Sequence, residues 1–370
     1  MSMFLTFCPL IDREPKKKNI LNPNFKFLTK EDKADLKARI AHSIAMEKQR
    51  AKRKRFFILS CCTAAVLVIG LAITFVFNPS NKSISPIEEF ANINSADAVL
   101  EKNGEVKLVL AGKESITVAD SSTIAYNISG STIQVNNKQL EQKKSLEPQY
   151  NTVLVPYGKR AHLSLADGTL VWLNSGSKLI YPTPFSTKNR EVFLEGEGIF
   201  DVAHNASKPF FVRAANNYSV RVLGTLFNVS CYPVDSKVST ALLRGKVIVS
   251  YSKKSFFTAD TIQAELKPGM IAALDKKLQT IQTTVQDVEP LFSWRKGYYE
   301  FSKQKLPSVL EKLTRYYNVN FIINKKMNQN ETYSGVFTLN DDLDKVVTTL
   351  EATTGFEFIY DKKTRKITIN

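Results

Sequence analysis

Few residues in this 370-residue chain are placed to do chemistry, and the sharpest candidate pair is Gly224-Thr225. A hydroxyl there follows a glycine carbonyl. On a bent backbone the Thr225 oxygen can attack that carbonyl and shift the acyl group from nitrogen to oxygen. Water then splits the resulting ester and breaks the chain. Gly224 has no Cβ to resist the bend. The plainer reading is a glycine turn between Val222 and Phe227.

Glu195 and Glu197 stand two apart in a strand-like run, which puts both on one face. Paired acids can hydrolyse a glycoside, but such pairs are common on strands, and a solvated face or turn contacts is the expectation. The four cysteines (Cys8, Cys61, Cys62, Cys231) and three histidines (His42, His162, His204) show no metal-ligand spacing. Gly196-Glu-Gly198 is too short to cradle a phosphate, and no G-x-S-x-G elbow or H-E-x-x-H helix occurs. The sequence therefore predicts no enzyme, no cofactor and no metal.

The elements around these residues divide the chain into five stretches: 1–55, 56–77, 78–95, 96–288 and 289–370. Phe56 to Phe77 is an uncharged run of 22 residues, FFILSCCTAAVLVIGLAITFVF. As a helix it would extend roughly 33 Å, enough to cross the hydrocarbon layer. It is apolar all round, unlike a core helix with one polar face. It is too long and too late for a cleaved signal peptide.

Lys48, Arg50, Lys52, Arg53, Lys54 and Arg55 precede the run, and only Lys82 follows closely. That asymmetry puts the N-terminus in the cytoplasm and the bulk of the chain outside. Residues 1–55 hold fifteen Lys/Arg against six Asp/Glu, so much of the +16 net charge lies beside the membrane. Lipid headgroups account for this cluster without direct nucleic-acid binding. Cys231 is the one cysteine beyond the run, so the exported part can form no internal disulfide.

Within 1–55 a helix begins near Thr29, with Asp32 completing a capping box. Leu36, Ile40 and Ile44 recur every four residues as one narrow apolar stripe. A lone helix has nothing in its own compartment to cover that stripe, so a partner protein is expected. Residues 78–95, with Pro79, Pro86 and several Ser and Asn, read as a linker.

From 96 to 288 the chain reads as short strands separated by turns: Val106–Leu110, Thr132–Val135, Ala161–Leu165, Thr169–Leu173, Phe210–Val212 and others, with a tight turn at Asp167-Gly168. Solenoid, sandwich and barrel all fit. The last 80 residues read strand-helix-strand twice. Leu306, Leu310, Leu313, Phe321 and Ile322 match Leu343, Val347, Leu350, Phe358 and Ile359 at an offset of 37. A small α/β domain built from a duplicated half follows.

Val155-Pro-Tyr-Gly158 leads into His162-Leu-Ser-Leu-Ala-Asp-Gly-Thr-Leu-Val-Trp172-Leu-Asn174-Ser-Gly-Ser177. Then come Arg190-Glu-Val-Phe-Leu-Glu-Gly-Glu-Gly-Ile-Phe200-Asp-Val202, Val220-Arg-Val-Leu-Gly-Thr-Leu-Phe-Asn-Val229, Leu243-Arg-Gly-Lys-Val247 and Leu266-Lys-Pro-Gly269. This series resembles the periplasmic domain of FecR-type anti-sigma regulators. The C-terminal module, approached through Trp294-Arg-Lys-Gly297, is similar to the signal domains of secretins and TonB-dependent transporters.

The resemblance implies an all-β, solenoid-like body without a catalytic role. It also implies an inner-membrane regulator that takes a signal from the signal domain of an outer-membrane TonB-dependent transporter. That signal passes to an extracytoplasmic-function (ECF) sigma factor held by Leu36, Ile40 and Ile44. Some regulators of this type are held to split at a Gly-Thr pair, which here is Gly224-Thr225. The family's cytoplasmic part usually carries several helices, whereas one is clear here. The competing expectation is a membrane-tethered β-scaffold for envelope assembly, which would tolerate any basic anchor in place of the cytoplasmic helix.

Overall fold

The structure is a computed structural model, and it describes residues 31–50, 52–53, 85–94, 104–111, 114–135, 138–141, 149–215, 217–253, 260–324 and 331–370. The chain divides into two compact units, Met1–Ser83 and Ile84–Asn370. Thr29 and the apolar run 56–77 lie outside the described residues. Among the described residues, no helix is long and apolar enough to cross a membrane. In the first unit, helix α1 covers residues 31–50, and every one of them is exposed.

The second unit is mostly β. Among the described residues, eighteen strands form one curled sheet. It consists of two hydrogen-bonded ladders. One runs Ser115–Val118, Val106–Val109, Tyr150–Val155, Ser177–Pro182, the first half of Arg190–Asp201, Phe210–Ala214, Tyr218–Val222, Val247–Lys253, Asp260–Leu266. The other runs Lys138–Glu141, Thr132–Val135, Thr123–Tyr126, Ala161–Ser164, Leu170–Leu173, the second half of Arg190–Asp201, Leu226–Cys231, Lys237–Arg244, Met270–Asp275, Thr280–Val285.

Arg190–Asp201 belongs to both ladders and changes from one to the other at Gly196. There φ is +97°, and a Cβ would sit 2.5 Å from Ser177 Oγ, so only glycine fits. Most pairings are antiparallel. The parallel ones are Arg190–Asp201 with Phe210–Ala214 and Thr123–Tyr126 with Ala161–Ser164. The body therefore grows mainly by antiparallel hairpins rather than by successive parallel coils. The turn at Asp167-Gly168 joins one of these hairpins, with Gly168 at φ +84° and its N–H donating to the Leu165 carbonyl.

Alternation along the strands separates two populations of apolar side chains. Val171, Leu173, Leu179, Tyr181, Val192, Leu194, Phe200, Phe227 and Leu242 point inward and form one core shared by both ladders. Their neighbours point the other way and are covered as well. Ile180 and Phe193, from the first ladder, lie under helix α2, Pro86–Ile93. Trp172, Ile199, Leu226, Ala241, Leu243 and Ile271, from the second, join the core of the C-terminal module. Within the stretch read as a linker, Pro86–Ile93 is helical, because Ile87 and Ala91 find a buried seat; residues 78–84 and 95 lie outside the described residues.

The C-terminal module matches its sequence expectation closely. Helices α3, Leu306–Tyr317, and α4, Leu343–Thr354, are equally long and begin 37 residues apart. Both end on a left-handed residue, Asn318 and Gly355, at the same offset. Tyr298–Gln304 pairs with Tyr333–Thr338, and Lys366–Ile369 lies between Asn320–Ile323 and Phe358–Asp361.

Candidate functional site

Helix α1 presents the predicted stripe to solvent. Leu36, Ile40 and Ile44 are 50%, 51% and 50% exposed, and Asp35 and Arg39 approach one another beside them. One turn separates each apolar residue from the next, so the stripe is continuous.

In the second unit the polar chemistry gathers where the module meets the body. Asn174 donates to the Tyr299 hydroxyl at 2.9 Å and to Glu197 at 2.8 Å. Asn228 donates to the other Glu197 oxygen at 3.0 Å. Arg315 on α3 forms an ion pair with Asp235 and stacks 3.8 Å from the Tyr232 ring centre. Its carbonyl accepts the Gly158 N–H at 2.9 Å. Arg160 donates to the Trp294 carbonyl and lies over the Tyr316 ring. Burial pushes the Tyr299 phenol well up. Burial also pulls the Lys312 ammonium down, against the opposing pull of Glu197. The module is thus keyed to the body by polar contacts set in an apolar seam.

Glu195 and Glu197, for which a solvated face or turn contacts was the expectation, are both half-buried and both partnered. Glu195 pairs with buried Lys178 at 2.7 Å, while Glu197 anchors the seam. Among the described residues, no group of three or more His, Cys, Asp or Glu is placed to hold a metal ion. The seam residues Asp235, Tyr299 and Arg315 carried no sequence signal. They are far apart in the chain and belong to no spaced motif.

Gly224 and Thr225 form a tight joint. A Cβ on Gly224 would lie 2.6–2.7 Å from His204 Nδ1, Cα and Cβ, so the close approach of His204, backbone included, and not a left-handed backbone, requires the glycine. Thr225 is buried, and its hydroxyl donates to the Lys246 carbonyl at 3.1 Å. The Val202 N–H donates to the Thr225 carbonyl. Arg190 braces the surroundings, donating to Asp167 and to the carbonyls of Lys208, Ala203 and Leu223.

The module's three-stranded sheet turns one row outward. Ile322, Thr368 and Ile359 are side by side in register, with Ile322 40% and Ile359 52% exposed. Asn320, Lys366 and Asp361 form the next row. An apolar row with a polar neighbour has the make-up of a small docking surface.

Two family models match along this unit: the FecR protein over residues 151–248 and the FecR C-terminal domain over residues 298–369. The chain belongs to the FecR family of anti-sigma factors. The FecR match lies within the body, and the second match is the duplicated module. Similar solved structures include two crystal structures of a putative anti-sigma factor from Parabacteroides distasonis, at 1.65 and 2.50 Å resolution. Both are 27% identical to this chain, with TM-scores of 0.52 and 0.51. The alignments cover 59% and 60% of this chain and 98% of theirs. No curated protein matches. Membership places the FecR chain in a regulatory family, with a sigma factor as the general class of partner.

Proposed function

We propose that this FecR-family chain is an inner-membrane anti-sigma factor. Residues 56–77 span the membrane, α1 holds an ECF sigma factor in the cytoplasm, and residues 84–370 stand in the periplasm. The observation that carries this reading is the continuous, half-exposed Leu36/Ile40/Ile44 stripe just before a basic flank and an apolar run. Burying three aliphatic side chains contributes about 1.5–3 kcal/mol each before ordering costs. Replacing all three with Asp abolishes co-purification of the sigma factor and changes target-gene expression. Unchanged expression in that triple variant would refute the assignment.

On the periplasmic side, the signal domain of a TonB-dependent transporter docks on the module. The Ile322/Thr368/Ile359 row supports this surface. Charged residues at Ile322 and Ile359 leave the fold intact and uncouple the response.

The Gly224-Thr225 bond is a proposed cleavage point. Packing of His204 against Gly224 and the close approach of Gly245 support a constrained joint. Wild-type chain then yields two associated fragments by mass spectrometry, Thr225→Ser still splits, and Thr225→Ala stays whole. A wild-type chain that stays intact on long incubation removes this step.

A further inference from the structure

Among the described residues, the two ladders of the β-body end in four edge strands, and three of them are guarded against pairing with another strand. Lys138–Glu141 begins and ends on a charge, Asp260–Leu266 carries Asp260 and Glu265, and Ser115–Val118 is only four residues long. In the module, Tyr333–Thr338 pairs through a shifted register and contains Gly335. The fourth edge of the body has no such guard. Thr280–Val285, Thr-Ile-Gln-Thr-Thr-Val, holds no charge and no proline, and five of its six residues are β-branched. Its register with Met270–Asp275 runs without a break, and among the described residues it pairs with that strand alone. Every residue in it except Ile281 is exposed.

Hydrogen-bond alternation fixes what this edge offers. The Gln286 N–H donates to the Gly269 carbonyl, and the Lys276 N–H donates to the Ser236 carbonyl. Counting in steps of two, the main-chain groups of Thr280, Gln282 and Thr284 face Met270–Asp275, and those of Ile281, Thr283 and Val285 face outward. The side chains of the same three residues share one face of the strand. Ile281 packs there against the main core, whereas Val285 is 80% exposed.

We propose that this edge joins two copies of the chain through an antiparallel pair of Thr280–Val285 strands centred on Thr283. Antiparallel pairing sets opposite one another residues whose main-chain groups both face the seam, and a two-fold axis then lets Thr283 face itself. In this register Ile281 lies opposite the partner's Val285 on each side of the axis, so the exposed valine gains an apolar neighbour. Just beyond the strands, exposed Lys277 comes opposite the partner's Glu289, which is exposed as well. Centring on Ile281 would instead set Val285 against Lys277, and centring on Val285 would set Ile281 against Glu289. The strand is therefore complementary to itself in one register, in charge as well as in apolar contact, and that match singles out a second copy as the occupant. A pairing six residues long is small for a stable interface, so the dimer is weak and reversible.

The test uses the full chain in mild detergent. Sedimentation at rising protein concentration should show a monomer–dimer equilibrium. Thr283→Lys sets like charges face to face at the axis and raises the dimer Kd at least about tenfold. Thr283→Glu does the same, and an equal mixture of the two variants regains the dimer because Lys then faces Glu. Hydrogen exchange at Arg190–Asp201 checks that each variant stays folded. A second measurement needs no disruptive variant. With Cys8, Cys61 and Cys62 replaced by Ser and Cys231 buried, Thr283→Cys is joined across the axis by a short bis-methanethiosulfonate linker. Val234→Cys, 80% exposed elsewhere on the body, is not. A wild-type chain that stays monomeric and unlinked at Thr283→Cys would overturn the proposal. So would a dimer that folded Thr283→Lys leaves as tight as before, which would place the contact on another segment. Protection of residues 280–285 from exchange only when a transporter signal domain is added would also overturn it, by giving the edge to a foreign strand.

Discussion

The two outer faces of the β-body are covered by unequal means. Over the first ladder lies a two-turn helix seated on Ile180 and Phe193. Over the second lies a whole module whose Trp294, Leu306, Leu310 and Leu313 merge with Ile199, Leu226 and Ala241. Both covers rest on outward-facing strand residues, Ile180 and Phe193 under one and Trp172, Ile199, Leu226 and Ala241 under the other. They differ in cooperativity. A cover that shares a core stands or falls with the body, whereas a cover that touches a patch can come and go.

The sharpest way to break this comparison is to empty the shared core. Leu313 is fully buried on α3, and Leu313→Ala destabilises the unit 84–370 by about 2–5 kcal/mol. Chemical denaturation should show one transition at a lower midpoint, monitored both by the fluorescence of Trp172 and Trp294 and by far-ultraviolet circular dichroism. Two separated transitions would mean that module and body unfold independently.

A second variant tests the polar key without touching the apolar seam. Arg315→Ala leaves Asp235 without its cation and Tyr232 without its stacking partner. Breaking a mostly buried pair by removing one side costs about 3 kcal/mol. Arg315→Lys keeps the charge but loses the planar stack, so it should recover only part of that loss. Full recovery with Lys would reduce the contact to simple charge pairing.

The weaker cover should give the opposite result. Ile87→Ala removes most of the apolar seat of α2, yet the midpoint for the body should move by less than about 0.5 kcal/mol, as for a site outside the cooperative core. Loss of exchange protection confined to 86–93 would confirm the contrast. A shift as large as that of Leu313→Ala would make the two covers equivalent.

How much of this was legible in the sequence follows the same division. The module was legible because its duplication repeats the spacing of Leu306, Leu310 and Leu313, and period 3.6 survives in twelve residues. The strands were legible from alternation, but their pairing was not, because nothing local states that Arg190–Asp201 changes ladder at Gly196. Helix α2 was hidden in a Pro- and Ser-rich stretch, yet its signal was present. Ser85-Pro86-Ile87-Glu88 has a capping serine, a proline at the first turn and a glutamate three residues on, and Ser85 and Glu88 do form a reciprocal capping box. The seam escaped detection because Asn174, Glu197, Asp235 and Arg315 are joined only by the fold.

The smallest expected effect concerns His162, which lies beneath neither cover's core but beside the seam. Its ring stacks on Trp172 at 4.9 Å, and the Arg295 guanidinium lies 5.6 Å from the same indole. Nδ1 is 3.4 Å from the Thr123 hydroxyl, and Nε2 is buried without a partner. Burial therefore holds the imidazole pKa below its ordinary value of 6.5. A group whose folded pKa is depressed binds fewer protons in the native state than in the unfolded chain. Unfolding then takes up protons, so stability rises with pH between the folded pKa and 6.5 and is level above that window. Denaturation midpoints for residues 84–370 should fall as pH drops from 7 to 5, and His162→Phe, which keeps the stack but cannot titrate, should remove His162's share of the slope. An identical slope in His162→Phe would show that the proton is taken up elsewhere, and that the cross-strand stack of His162 on Trp172 carries no sensitivity to pH.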